Sequence, residues 1–223
     1  IEGNLWLIDL PRLILVFFVT LNIIAILCYP GGTYLDHLNS GYSFTGNFLS
    51  DLGRTMSFSR EVNFLSSQLF NMALILSGGI FAAFYFRVHK VFAAENQHTL
   101  GLIGSFFGVL GGLSLAGVGL TPADLYLDLH IICANWLFRF FFVASLCYSM
   151  VIFRHLQFEN KYAIGYLVFT FSILIYIIIS ELGPDPTVDL FALTLQVVSQ
   201  KMILLILMAA IYIQTLGLKK LQS

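Results

Sequence analysis

The chain has 223 residues, 58% hydrophobic and 10% charged, with a formal net charge of −1 and a mean hydropathy of +0.88. Soluble domains carry about 25% charged residues, so a water-solvated core is excluded and lipid is the expected solvent. The charge balance and the absence of a Lys/Arg run leave no footing for nucleic acid, and Cys28, Cys133 and Cys147 form neither a disulfide framework nor a CxxC pair.

In chain order, the opening "IEGNLWLIDLPR" reads either as an interfacial segment anchored by Trp6 or as residues not native to the protein. The first apolar run lacks a small-residue cleavage site and ends in "CYPGG", so it is expected to stay as a span. Hydropathy predicts six spans, near 12–29, 63–86, 100–120, 130–153, 162–181 and 191–216. The runs are continuous rather than alternating, which selects helices over strands. The expected fold is therefore all-α: a polytopic membrane protein, a single domain over 1–223, with six transmembrane helices in one bundle and a long outer loop at 30–62. Seven Lys/Arg (Arg12, Arg87, Lys90, Arg154, Lys161, Lys219, Lys220) flank the spans on one side and two (Arg54, Arg60) on the other. That bias places both termini in the cytoplasm.

The third span, "GLIGSFFGVLGGLSLAGVG", repeats Gly104, Gly108, Gly112 and Ala116 every four residues. Small residues at this spacing let helix backbones approach closely, either within the bundle or in a homo-oligomer formed through this helix.

Polar groups gather toward the outer half. Gln68 and Asn71 lie on the second span, Asn135 and Arg139 share a face of the fourth, and Gln200 and Lys201 lie on the sixth. Arg139 and Lys201 each cost roughly 2.5–3.5 kcal/mol to place mid-membrane, so both are expected to face an interior polar cavity open to the outside, with nearly pure grease below. The stretch "NFLSDLGRT" brings Asn47, Ser50 and Asp51 to the mouth, where Asp51 is able to cap the second helix or reach Arg139. "GLTPADLYLDLH" adds Asp124, Asp128 and His130.

These motifs carry a resemblance. "GYSFTGNFLSDLG" (41–53), "GLTPADLYLDLH" (119–130) and the Gln200–Lys201 pair resemble a six-helix prokaryotic membrane family known as domain of unknown function 998. That family more often has Arg where this chain has Lys201, which keeps the charge and loses the bidentate fork. More remotely the architecture is similar to the Frag/DRAM/Sfk group. The resemblance implies a multi-pass protein of the prokaryotic inner or plasma membrane and, at most, a connection to lipid.

Several functions stay open at this level. The leading expectation is binding of an anionic lipid or amphiphile head group by Arg139, Lys201, Gln200, Asn135, Gln68, Asn71, Asn47, Ser50 and Asp51. A second is a metal-dependent membrane hydrolase acting on a lipid, with a divalent ion held by Asp51, Asp124, Asp128 and His130. A third is a coupled transporter, for which broken helices and inverted repeats are missing from the sequence. A fourth is a structural or assembly subunit of a larger membrane complex. The sequence does not decide whether the chain is an enzyme.

Overall fold

The computed structural model describes residues 4–92 and 97–221, so the first three residues of the opening segment and the last two of the expected domain 1–223 lie outside the described residues. A π-helical turn, Leu5–Asp9, runs straight into α1 (Leu10–Cys28), and Pro11, which has no N–H to give to the turn before it, lies at this change of helical register. There follow α2 (Phe64–Val88), α3 (His98–Leu120), α4 (Leu127–Arg154), α5 (Asn160–Leu182) and α6 (Leu190–Leu221). All six are long and apolar enough to cross a membrane, and among the described residues no strand forms beyond two isolated bridges. The predicted spans match within a few residues, except that α6 runs five residues past 216, where Lys219 and Lys220 suit the negative end of the helix.

Proline and glycine set the breaks. Pro30 forces Tyr29 into an extended conformation and ends α1; Pro122 follows the end of α3, and Gly183–Pro184 follow α5. Asp189 opens α6 by accepting the Ala192 N–H at 2.8 Å. Each helix packs on the next in sequence, and α6 returns to touch α1, so the six form a closed ring. One pole carries the segment 30–62 (the loop pole); the other carries the start of α1 and the end of α6 (the terminal pole).

Against lipid, helices gain little from hydrophobic exclusion and hold together by close packing and internal hydrogen bonds. The small residues of α3 supply the packing. Gly104 receives Cys147 and Tyr148 of α4, Gly108 lies under the ring of Tyr85, and Gly112 lies against the backbone of Gly78 and Ala82 in α2. This face is therefore filled by neighbours inside the bundle. The lipid-facing side of α3 carries Ile103, Phe106 and Leu113 instead.

The terminal half is not pure grease. Tyr85 and Tyr166 meet hydroxyl to hydroxyl across the ring at 3.2 Å, Ser105 bonds Tyr148 at 2.6 Å and donates to the Tyr85 carbonyl, and Ser145 bonds Thr170 at 2.8 Å. The three tyrosines are among the most deeply buried side chains. Isolated Tyr and Ser in an apolar run read as packing residues in sequence; only the fold shows that they bond one another.

The close approach at Gly112 is testable. A Cβ there would come within 2.6 Å of the Ala82 nitrogen and 2.7 Å of the Gly78 carbonyl oxygen, whereas one at Gly79 meets nothing within 4 Å. Gly112→Ala is expected to destabilise the bundle by about 1–3 kcal/mol, and Gly79→Ala to be neutral or slightly stabilising, as read by unfolding in mixed detergent micelles.

Candidate functional site

The segment 30–62 folds back over the loop pole as the sequence suggests. Its centre is the 3-10 turn Leu49–Gly53, with Leu52 wholly buried. Gly32 makes the entry possible: its φ is +80°, and a Cβ would run into the backbone of Phe58 and Ser59. Asp51 caps its own turn rather than α2, its Oδ2 accepting the Phe48 N–H at 2.8 Å and the Asn47 side-chain amide at 3.3 Å. It does not reach Arg139.

A short turn set into a helix mouth carries backbone groups that need partners. The polar residues at the start of α2 supply them. Asn63 donates to the Leu52 and Arg54 carbonyls at 2.9 and 2.8 Å, Ser66 to Leu52 at 3.2 Å, and Ser67 and Asn71 to Gly53 at 3.1 Å each. From α6, the Gln200 Oε1 accepts the Leu49 N–H at 2.8 Å, and Lys201 donates to the Asn47 carbonyl at 2.5 Å. Asp124 grips the far side, accepting the Thr55 N–H and hydroxyl and the Met56 N–H. Asn47, Asn71 and Lys201, expected to face a ligand, each also hold this loop in place.

A cavity of about 400 Å³ lies at this pole between the loop and helices α4 to α6. Of the sequence-predicted site residues it gathers Ser50, Asp51, His130, Asn135 and Gln200. Arg54 also lines it, a cation that sequence reasoning passed over. The Arg54 guanidinium lies 4.2 Å from the Phe58 ring centre and its Nε donates to the Met56 carbonyl at 3.2 Å. Among the described residues no carboxylate forms a direct ion pair with it, and Asp51 feels its charge only from farther off. Arg54 lies within the stretch "NFLSDLGRT", and its place as one of only two Lys/Arg residues in the segment 30–62 was the available signal.

Arg139 and Lys201 do not share this chamber, which corrects the expectation that both face one void. Arg139 forms a half-exposed ion pair with Glu181 at the end of α5 and lies beside Trp136; an arginine side chain is long enough to reach toward the pole and find its acid there. Lys201 is buried on the other side of the loop, with its ammonium 5.3 and 5.1 Å from the ring centres of Tyr42 and Phe44. Gln68 is exposed on the outside of α2 and joins neither group.

The expected metal set does not assemble. Among the described residues no three His, Cys, Asp or Glu side chains come together to hold an ion. Asp124 is committed to Thr55 and Met56, Asp128 is exposed on the first turn of α4, and the His130 Nδ1 donates to the Thr121 carbonyl at 2.7 Å. The loop pole uses its carboxylates as hydrogen-bond acceptors for backbone amides.

Two of those carboxylates are tuned in opposite directions. Burial dominates at Asp51 and, despite the Asn47 amide, Arg54 and the Phe48 N–H, pushes its carboxyl up to about 6. At Asp124 burial also works upward, but the Thr55 hydroxyl and the Thr55 and Met56 amides outweigh it and hold the carboxyl below the usual range. An acid whose folded pKa is raised stabilises the fold fully below its unfolded pKa and loses that contribution as pH rises through the folded value. Thermal stability is thus expected to fall between about pH 4 and pH 6 through Asp51, and Asp51→Asn is expected to flatten that part of the profile. Melting curves of both proteins in one detergent from pH 4 to 8 check this.

Compared with protein-family models, with curated proteins and with solved structures, the chain finds no match in any of the three.

Proposed function

We propose that this is a multi-pass protein of the cell membrane that binds an amphiphile with an anionic head group in the cavity at the loop pole. Arg54 is the cation that receives the head. The observation that carries the reading is its guanidinium, in no direct ion pair among the described residues, on the wall of a cavity that holds spare donors. The Gln200 side-chain amide N–H₂ stays free when its oxygen accepts Leu49, and Ser50 and Asn135 add a hydroxyl and an amide. Asp51 lines the same cavity, and its carboxyl, already pushed up to about 6 by burial, is expected to take up a proton when an anion binds beside it. Apolar wall residues such as Phe48, Leu127 and Ile131 fit the start of an acyl chain.

The same reading orients the protein with both termini in the cytoplasm, on the seven-to-two distribution of Lys and Arg. The resemblance to the domain of unknown function 998 family is kept as part of the proposal. It rests on the loop motif, the "GLTPADLYLDLH" stretch and Gln200–Lys201, all of which converge on one docked loop.

Binding is tested in detergent by titrating phosphatidylglycerol against phosphatidylcholine and reading retained lipid by native mass spectrometry. Phosphatidylglycerol is expected to bind preferentially. Arg54→Gln is expected to weaken it about tenfold or more, the size of a lost charge-assisted hydrogen bond, with Arg60→Gln unchanged. Equal retention of both lipids, or an unaffected Arg54→Gln, overturns the reading. Orientation is tested separately in a background lacking Cys28, Cys133 and Cys147. Leu38→Cys at the loop pole is expected to react with an impermeant maleimide added outside intact cells, and Leu156→Cys at the terminal pole only after lysis.

A further inference from the structure

A second, smaller crevice of about 140 Å³ opens on the lipid face between α1 and α6, against the loop. Its wall is almost wholly apolar, with Val19, Ile23 and Leu205 exposed along it. Two polar side chains break that wall. Asn22 is 6% exposed and Lys201 5% exposed. The Asn22 side-chain nitrogen donates to the Phe18 carbonyl at 2.8 Å, which fixes the amide orientation, and its Oδ1 is buried with no partner. Lys201 gives one N–H to the Asn47 carbonyl, so its other two are available.

An unbonded amide oxygen buried inside an apolar helix face costs about 1–3 kcal/mol, and nothing else in the bundle uses it. What would satisfy the crevice is a group that donates to Asn22 and accepts from Lys201. A hydroxyl does both. A carboxylate or phosphodiester accepts only, and leaves the Asn22 oxygen unpaired. Nor does the crevice need an anion. Asn47 accepts Lys201 through its carbonyl and donates to the Asp51 carboxylate through its side chain, so the ammonium already has a counter-charge one residue away.

We infer that this crevice is a binding site for a single-chain amphiphile with a hydroxyl-bearing, uncharged head, of the monoacylglycerol or long-chain alcohol class. The hydroxyl sits between Asn22 and Lys201, and one acyl chain runs along Val19, Ile23 and Leu205 in the plane of the lipid. The site lies on the opposite side of the loop from Arg54 and does not depend on anion binding there.

The test compares monooleoylglycerol with methyl oleate, which has the same chain and no donor, by thermal shift and native mass spectrometry of the full chain in detergent. The unmodified protein is expected to bind monooleoylglycerol about tenfold more tightly, and Arg54→Gln is expected to leave that ratio unchanged. Asn22→Leu, close in size, is expected to reduce the ratio to about one while methyl oleate binding stays as before. Equal binding of the two probes by the unmodified protein overturns the inference without recourse to any variant. So does a preference that survives Asn22→Leu. A photoreactive monoacylglycerol is expected to label peptides from α1 and α6; labelling confined to α4 and α5 would place the hydroxyl ligand in the other cavity and also overturn it.

Discussion

A non-helical turn buried in the mouth of a membrane helix bundle is tolerated only if its backbone is satisfied by protein. That constraint governs the loop pole. The turn Leu49–Gly53 presents the carbonyls of Leu52, Gly53 and Arg54 to α2, and Asn63, Ser66, Ser67 and Asn71 answer them with five hydrogen bonds. The amide of Leu49 goes to Gln200, and the carbonyl of Asn47 to Lys201. At about 0.5–1.5 kcal/mol net for each bond, these contacts fix the loop as firmly as a helix is fixed. The polar density of this pole follows from docking one turn, and the cavities on either side are what the docked turn leaves behind.

Charge placement obeys the same economy. The Lys201 ammonium is too far inside the bundle to use water, so it is surrounded by a carbonyl and two aromatic faces, with Asp51 reached through Asn47. Arg139, longer and planar, escapes toward the pole and pairs with Glu181. Arg54 is held by a ring face and one carbonyl, with the Asp51 charge felt at longer range and no direct ion pair among the described residues. The three cations thus differ in how completely they are satisfied. The least satisfied one faces the cavity of about 400 Å³, and this difference in electrostatic saturation is the physical basis for proposing ligand contact at Arg54.

How much of this was legible in the sequence depends on the range of the interaction. Helix number, boundaries and the fold-back of 30–62 are set by hydropathy, proline and loop length, all local properties, and they were readable. That Asn71, Gln200, Lys201 and Asp124 matter was also readable, since polar groups in a span need a reason. Their partners were not. Gln200 and Leu49 are separated by 151 residues, and Asp124 and Thr55 by 69, so no spacing rule connects them. The same limit hid the Tyr85–Tyr166 and Ser105–Tyr148 bonds, and it let Arg139 and Lys201 look like neighbours because both sit deep in their helices. Depth along a helix is periodic and readable; the azimuth that sends Gln200 to one side of the loop and Lys201 to the other is set by packing.

The adjacency of those two residues has a consequence for how ligands arrive. Gln200 and Lys201 point to opposite sides of the same loop and hold it from both. Lifting the loop as a lid would break both bonds together with the five from α2 and the clamp of Asp124 on Thr55 and Met56. Even at about 1 kcal/mol each, that opening costs several kcal/mol, and the turn's carbonyls would be left in a low-dielectric mouth. Entry by way of the helix flanks costs far less. The large cavity is bounded by α4, α5 and α6, and the exposed Leu127 and Ile131 on its rim already suit an acyl chain; the crevice beside Lys201 lies on the lipid face between α1 and α6. On the proposed function, amphiphiles would therefore reach both sites laterally from the membrane, with the loop as a fixed wall that each ligand's head meets from its own side.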